Sequence, residues 1–280
     1  MPRRSSSTRG RGADPEVASA LTEIEQVLDT PLAELMDSDE DRAHAAVLTR
    51  QADAAPAIAR FRKLVAFVGS GRRATQGGKL TRADAIALGD TLGVSAPEHG
   101  VVHSMEDLPE VAHLFRWAMA ADVVAISGTK VVAGSWSVEL ERDPLTVWFR
   151  AATALLGHGL LDGFQRGWRK HYVEFLDASV PALLAAMIEA GGEAQLAAIQ
   201  NSAWEQVAES YGYDLDDSSE RRWVDRLVQG IVAQLADLGA AERRGPVVTL
   251  TELGGALAAA AIALTDDAGN PPSRRSPKRS

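Results

Sequence analysis

Cysteine is absent from the 280 residues. That removes disulfides, thiolate zinc sites, iron–sulfur clusters and thiol nucleophiles together. Long apolar runs are missing too. The longest wholly apolar stretch, residues 256–264, is about half of the roughly 18–20 residues a membrane-spanning helix needs. No apolar segment follows the basic, Ser/Gly-rich residues 1–12, so Arg3-Arg4 does not open an export signal. Aromatic residues make up only 5% of the chain. These absences describe a soluble, cytoplasmic protein with no membrane partner, and the length is enough for about two small domains.

Acid outweighs base, with a formal net charge of −9, and the total argues against a nucleic-acid partner. Its placement does not. Residues 13–54 hold two basic against eleven acidic side chains, and residues 181–264 hold five against twelve. Residues 55–135 reverse the sign, with nine basic against seven acidic. The two ends, 1–16 and 265–280, are basic and have little apolar surface to bury, and they read as disordered tails.

Between the ends the apolar spacing is mostly helical. An acidic segment, 17–54, begins with Val17, Leu21, Ile24 and Leu28 at three- and four-residue intervals, and Pro31 interrupts it. Ile58, Phe61, Leu64, Val65 and Val68 mark a helix ended by Gly69. Thr81 with Asp84 predicts an N-cap for residues 82–92, and Gly93 a stop. Asp107 is read as the cap of a helix over 108–121 with Pro109 in its first turn. The period then changes from 3.6 to 2. Residues 123–127 and 130–133 flank Gly128-Thr129 as a hairpin. Helix, short extended piece, two helices and a hairpin form the order of a winged helix-turn-helix.

The C-terminal third repeats the layout without repeating residues. Helices are expected over 183–190, 193–200, 203–211 and from Ser218 or Ser219 to Leu238. A second hairpin, 240–243 with 247–250, and an Ala-rich closing helix follow. The fold class is therefore mainly α with short β-hairpins. Two winged-helix-like modules, 55–135 and 181–264, are joined by a helical linker, 136–180.

Patterns that could carry chemistry fail on inspection. Residues 69–74 fit G-x-G-x-x-A after an apolar run, but Thr75-Gln76-Gly77-Gly78 would break the helix a dinucleotide site requires. Gly78-Lys79 resembles a P-loop, yet Leu80 stands where Mg²⁺ would need a hydroxyl. His99 and His103 have a ligand-like spacing and no third partner. Asp214, Asp216, Asp217 and Glu220 lack the glycine of a calcium loop, and a helix N-terminus explains them. There is no G-x-S-x-G serine. Neither an active site, a metal site nor a cofactor emerges.

Basic residues in 55–135 are the remaining candidates. Arg72, Arg73, Gln76, Lys79 and Arg82 cluster in sequence, Lys130 lies in the hairpin, and Arg116 sits on the helix before it. Such side chains suit DNA phosphates. The helix places Glu110, His113, Arg116 and Trp117 opposite its apolar face. That is a poor base-reading set, and Trp117 suits a protein partner instead. In the second module Arg222, Arg226 and Gln229 alternate with acids.

Phe61-Arg62, Phe67-Val68-Gly69, Gly71-Arg72, Thr75-Gln76, Gly78 and Leu80, followed by Leu108-Pro109, Leu114 and Trp117-Ala118, carry a resemblance. They are similar to "GR-x₂-TQ-x-G-x-L" and "LP…L-x₂-WA" segments of a poorly characterised group of bacterial proteins with tandem winged-helix-like modules. Residues 235–254 resemble the group's "LGA…LT-x-LG" close. Some relatives carry a Cys-rich metal-binding tail, which this cysteine-free chain lacks. The resemblance implies a fold and no activity. Two functions are expected from the whole: a non-enzymatic, double-stranded-DNA-binding regulator acting through 55–135, or a protein-interaction adaptor, self-association included.

Overall fold

Pro56, Pro109 and Pro144 each stand in the first turn of a helix, where a missing N–H leaves no bond unmade. The computed structural model describes residues 39–94, 101–161 and 170–269. The basic N-terminal end, the helix expected over 17–36 and His99 lie outside the described residues.

Within them the chain is mainly helical, with two three-stranded antiparallel sheets. The first part runs α1 (Asp39–Ala54), α2 (Pro56–Val68), β1 (Arg72–Arg73), α3 (Arg82–Leu92), α4 (Pro109–Ala120), β2 (Val124–Ser127) and β3 (Lys130–Ala133). A connection follows, α5 (Glu139–Arg142) and α6 (Pro144–His158). The last part is α7 (Lys170–Glu189), β4 (Glu193–Gln195), α8 (Leu196–Tyr211), α9 (Ser218–Asp237), β5 (Ala241–Arg244), β6 (Val247–Leu250) and α10 (Glu252–Gly269).

The two halves have one plan. Each runs helix, strand, helix, helix, strand, strand, and the last strand lies in the middle of its sheet, in the orders β1-β3-β2 and β4-β6-β5. Each hairpin turns on a glycine in the left-handed region, Gly128 at φ +60 and Gly245 at φ +63. A glycine also follows each hairpin against the backbone that precedes it. A Cβ on Gly134 would fall on the Asp122 carbonyl, and one on Gly254 on the Ala240 carbonyl.

Local signals account for α3. The Thr81 hydroxyl accepts from the Asp84 N–H at 3.2 Å, and Gly93 closes the helix at φ +74. Asp107 departs from its expected role. Its carboxylate accepts from the His103 and Ser104 N–H groups and closes the short 3-10 turn Met105–Asp107, while α4 starts beyond it.

The second half departs further. Residues 193–195, expected at the head of a helix, form β4 and pair with β6, Ala194 opposite Val248. Gly191 and Gly192, at φ +79 and +83, end the preceding helix and turn the chain onto the open side of β6, so long-range pairing overrides local helix preference. The linker boundary expected at 180/181 lies inside α7, which continues through Pro181 with Val180 and Leu184 buried on either side. Likewise α10 reaches Gly269, past the tail boundary expected at 265.

Buried side chains form one continuous core across both halves. The Arg60 guanidinium on α2 meets the Asp237 carboxylate on α9 at 2.6 Å. The Trp148 indole on α6 donates to the Leu238 carbonyl. His113 on α4 lies 3.1 Å from Gln234 on α9. Among the described residues α7 alone is long and apolar enough to cross a bilayer. It packs Tyr172, Val173, Leu176, Val180, Leu184 and Met187 into this core and exposes Lys170 and Glu174.

Candidate functional site

The basic residues of the first half divide into two sets with different surroundings. Arg73 and Lys130 are opposite partners in the β1–β3 ladder and both are exposed. No carboxylate among the described residues pairs with either. Gln76 and Arg82 are exposed nearby in sequence, Gln76 at the tip of a turn held by Thr75 and Lys79. Arg72 is more constrained. Its guanidinium lies 4.5 Å over the Phe67 ring, its Nε donates to the Phe67 carbonyl, and Asp84 is 3.6 Å away.

Like charges held opposite one another across a ladder repel. This pair is the feature most open to a bridging anion, because phosphate relieves repulsion that the chain itself leaves in place. The turn needs its glycines for geometry. Gly78 has φ +70, and Gly71, at φ +117, lets the backbone pass the Lys130 stem.

Lys79 and Arg116 form the other set, gathered by Glu106. Lys79 Nζ is 2.7 Å from one carboxylate oxygen of Glu106, and Arg116 is 2.9 Å from the other. The Lys79 hydrogen bond and the Arg116 charge hold the Glu106 carboxyl below its ordinary range against the opposing effect of burial. Both cations, expected at a DNA phosphate, are therefore committed to a carboxylate. Nothing local marks Glu106 in the sequence, since residues 79, 106 and 116 meet only through the tertiary fold.

Helix α4 does not offer the outer face the sequence suggests. Trp117 is 4% exposed, edge-on to Phe61 at 5.0 Å, and its indole donates to the Ala151 carbonyl at 2.7 Å. It is a core residue and no partner surface. The reason is α6, which packs over the side of α4 that a free-standing module would leave in water. Only Pro109 and Glu110 of the helix are exposed, so base contact through its length is closed off.

The corresponding helix of the second half, α9, keeps an exposed stripe of Arg222, Arg226 and Gln229, with Arg226 lying 4.9 Å over Trp223. At its head are exposed Asp214 and Asp216, and the Asp217 carboxylate caps the helix by accepting from Ser219 and Glu220. This acidic head opposes a phosphate backbone. The β5–β6 hairpin adds Arg243 and Arg244, the latter paired with Glu242 at 2.7 Å.

Among the described residues, no three His, Asp or Glu side chains are grouped to hold a metal ion. No protein-family model matches the sequence, and no curated protein or solved structure matches it either. The bacterial resemblance rests on its sequence segments alone.

Proposed function

We propose that the protein is a non-enzymatic regulator that binds double-stranded DNA, built from two winged-helix modules. The first grips the phosphate backbone through the paired strands β1 and β3 of its sheet. The observation that carries this reading is the Arg73–Lys130 pair, two exposed like charges held opposite each other with no carboxylate partner among the described residues. The shared order of elements and of strands supports the winged-helix description. Exposed Gln76 and Arg82 lie near Arg73 in sequence and extend the polar surface beside it.

Because α4 is covered, the reading assigns phosphate contact to this module and no base recognition. Its residues are Arg73 and Lys130, with Arg72, Gln76 and Arg82 around them. Lys79 and Arg116, tied to Glu106, drop out, as does Trp117 as a contact for a protein partner. Fluorescence anisotropy with a random-sequence duplex at low salt tests the proposal. Saturable binding that weakens in R73A/K130A is expected. A flat titration would overturn it.

A further inference from the structure

The strand register of the first sheet sets three exposed side chains in one row. Arg73 on β1 is opposite Lys130 on β3, and Lys130 is opposite Ser127 on β2. Residues directly opposite one another in antiparallel strands point to the same face, so the hydroxyl and the two cations share one side of the sheet. Neighbouring hydroxyls are committed, Ser135 to the Asp122 carboxylate and Ser137 to the Gly134 carbonyl. The Ser127 hydroxyl has no hydrogen-bond partner among the described residues. The order β1-β3-β2 also makes β2 an outer strand, so Ser127 lies on extended backbone with no strand beyond it among the described residues. It stands beside the exposed turn at Gly128. An exposed, uncommitted hydroxyl on an outer strand, next to two cations without a carboxylate, is open both to a modifying enzyme and to what that enzyme would add.

We propose that Ser127 is a phosphoryl-acceptor site, and that a phosphate ester on its Oγ occupies the Arg73–Lys130 pair in place of a DNA phosphate. In the modifying step Ser127 Oγ attacks the γ-phosphorus of a nucleoside triphosphate held by a separate kinase. The bond from that phosphorus to the β,γ-bridging oxygen breaks, the nucleoside diphosphate leaves, and the hydroxyl proton passes to the kinase's base. The ester carries about −1.5 to −2 charges at neutral pH. Cβ atoms of facing residues on adjacent strands are about 5 Å apart, so the ester reaches Lys130 directly and the long Arg73 side chain spans the strand between them. The Lys130 stem passes over Gly71, and turning its head toward Ser127 breaks no ion pair. The repulsion between the two cations is then relieved from within the chain, by charge-assisted hydrogen bonds. Occupation of the pair follows from the register alone. Exclusion of DNA rests on the reading of that pair as the phosphate grip, and makes the modification an off-switch.

The test compares the full chain carrying genetically encoded phosphoserine at position 127 with the unmodified parent. Its Tm should rise by about 2 °C or more, and its affinity for a random-sequence duplex at low salt should fall by about tenfold or more. Phosphatase treatment should reverse both. In R73A/K130A the same ester should leave Tm unchanged, because the pair it bridges is gone. Phosphoserine at the exposed Ser202 on α8 adds the same charge elsewhere and should give no Tm rise and a much smaller loss of affinity. Mass spectrometry of the protein isolated from its own cells should find the ester on Ser127. No Tm rise, an equal rise in R73A/K130A, equal effects from Ser202, or Ser127 unmodified in the cell would overturn the proposal. A Tm rise in a chain that binds no duplex would support the occupied pair and overturn the DNA reading alone.

Discussion

Arg73 and Lys130 face each other across β1 and β3, two exposed cations in direct register with no carboxylate partner among the described residues. Such an arrangement weakens the sheet by some tenths of a kcal/mol and is relieved by an anion between the two. Stability and binding should therefore move in opposite directions. Lys130→Glu should raise the unfolding free energy by about 0.2–1 kcal/mol, since it turns a like-charge pair into an opposite-charge one. The same change should remove most DNA affinity. Urea denaturation and anisotropy on one preparation check both halves. A variant that loses stability, or binds DNA as well as the parent, contradicts the assignment.

The burial of Trp117 leads to a different expectation. Trp117→Ala should cost about 3–5 kcal/mol through the cavity it leaves and the stranded Ala151 carbonyl. Trp117→Phe keeps the ring beside Phe61 and should cost less, mainly the lost hydrogen bond, about 1 kcal/mol. Denaturant midpoints separate the two. If Trp117→Ala were neutral, the helix would be free and the expected outward face restored.

Acid should act through Glu106. Its carboxyl is held below the ordinary value of 4.5 by Lys79 and Arg116. The stabilisation is complete above the unfolded-state value and is lost as the pH falls through the lower folded-state one. Melting temperatures measured from about pH 6 to about pH 3 should fall less steeply in Glu106→Gln than in the parent. Parallel curves would show that the three-residue cluster contributes nothing to acid sensitivity.

Two adjacent glycines give an internal control. Gly254 has the Ala240 backbone where a Cβ would go, while Gly255 has open space. Gly254→Ala should cost about 2 kcal/mol or more through forced backbone movement. Gly255→Ala should stabilise α10 by about 0.5–1 kcal/mol, the ordinary helix preference of alanine. Gly134 meets the Asp122 backbone after the first hairpin in the same way, and Gly134→Ala should match Gly254→Ala.

These residues also show how far the fold is legible in the sequence. Thr81, Asp84 and Gly93 act within a few residues of one another, and their helix lies where the pattern puts it. Both hairpins are legible for the same reason, because a glycine at the turn and alternating neighbours are local signals. β4 is not legible, since its three residues become a strand only when β6 is beside them. Nor is the burial of Trp117. Helical spacing puts it opposite the apolar stripe of α4, and only the arrival of α6 supplies the surface that covers it. The basic cluster splits along the same line. Arg73 and Lys130 stay exposed as composition suggests, whereas Lys79 and Arg116 are claimed by Glu106, far from Lys79 in sequence.

The central claim is most directly tested by the salt dependence of binding to a random-sequence duplex, measured for the parent chain and for R73A/K130A. Each phosphate contact contributes about 0.9 to the slope of log K against log salt. The parent should bind at low salt and weaken steeply, and the double variant should bind more weakly with a slope shallower by about 2. Identical slopes, or no binding by the parent at low salt, would contradict the account.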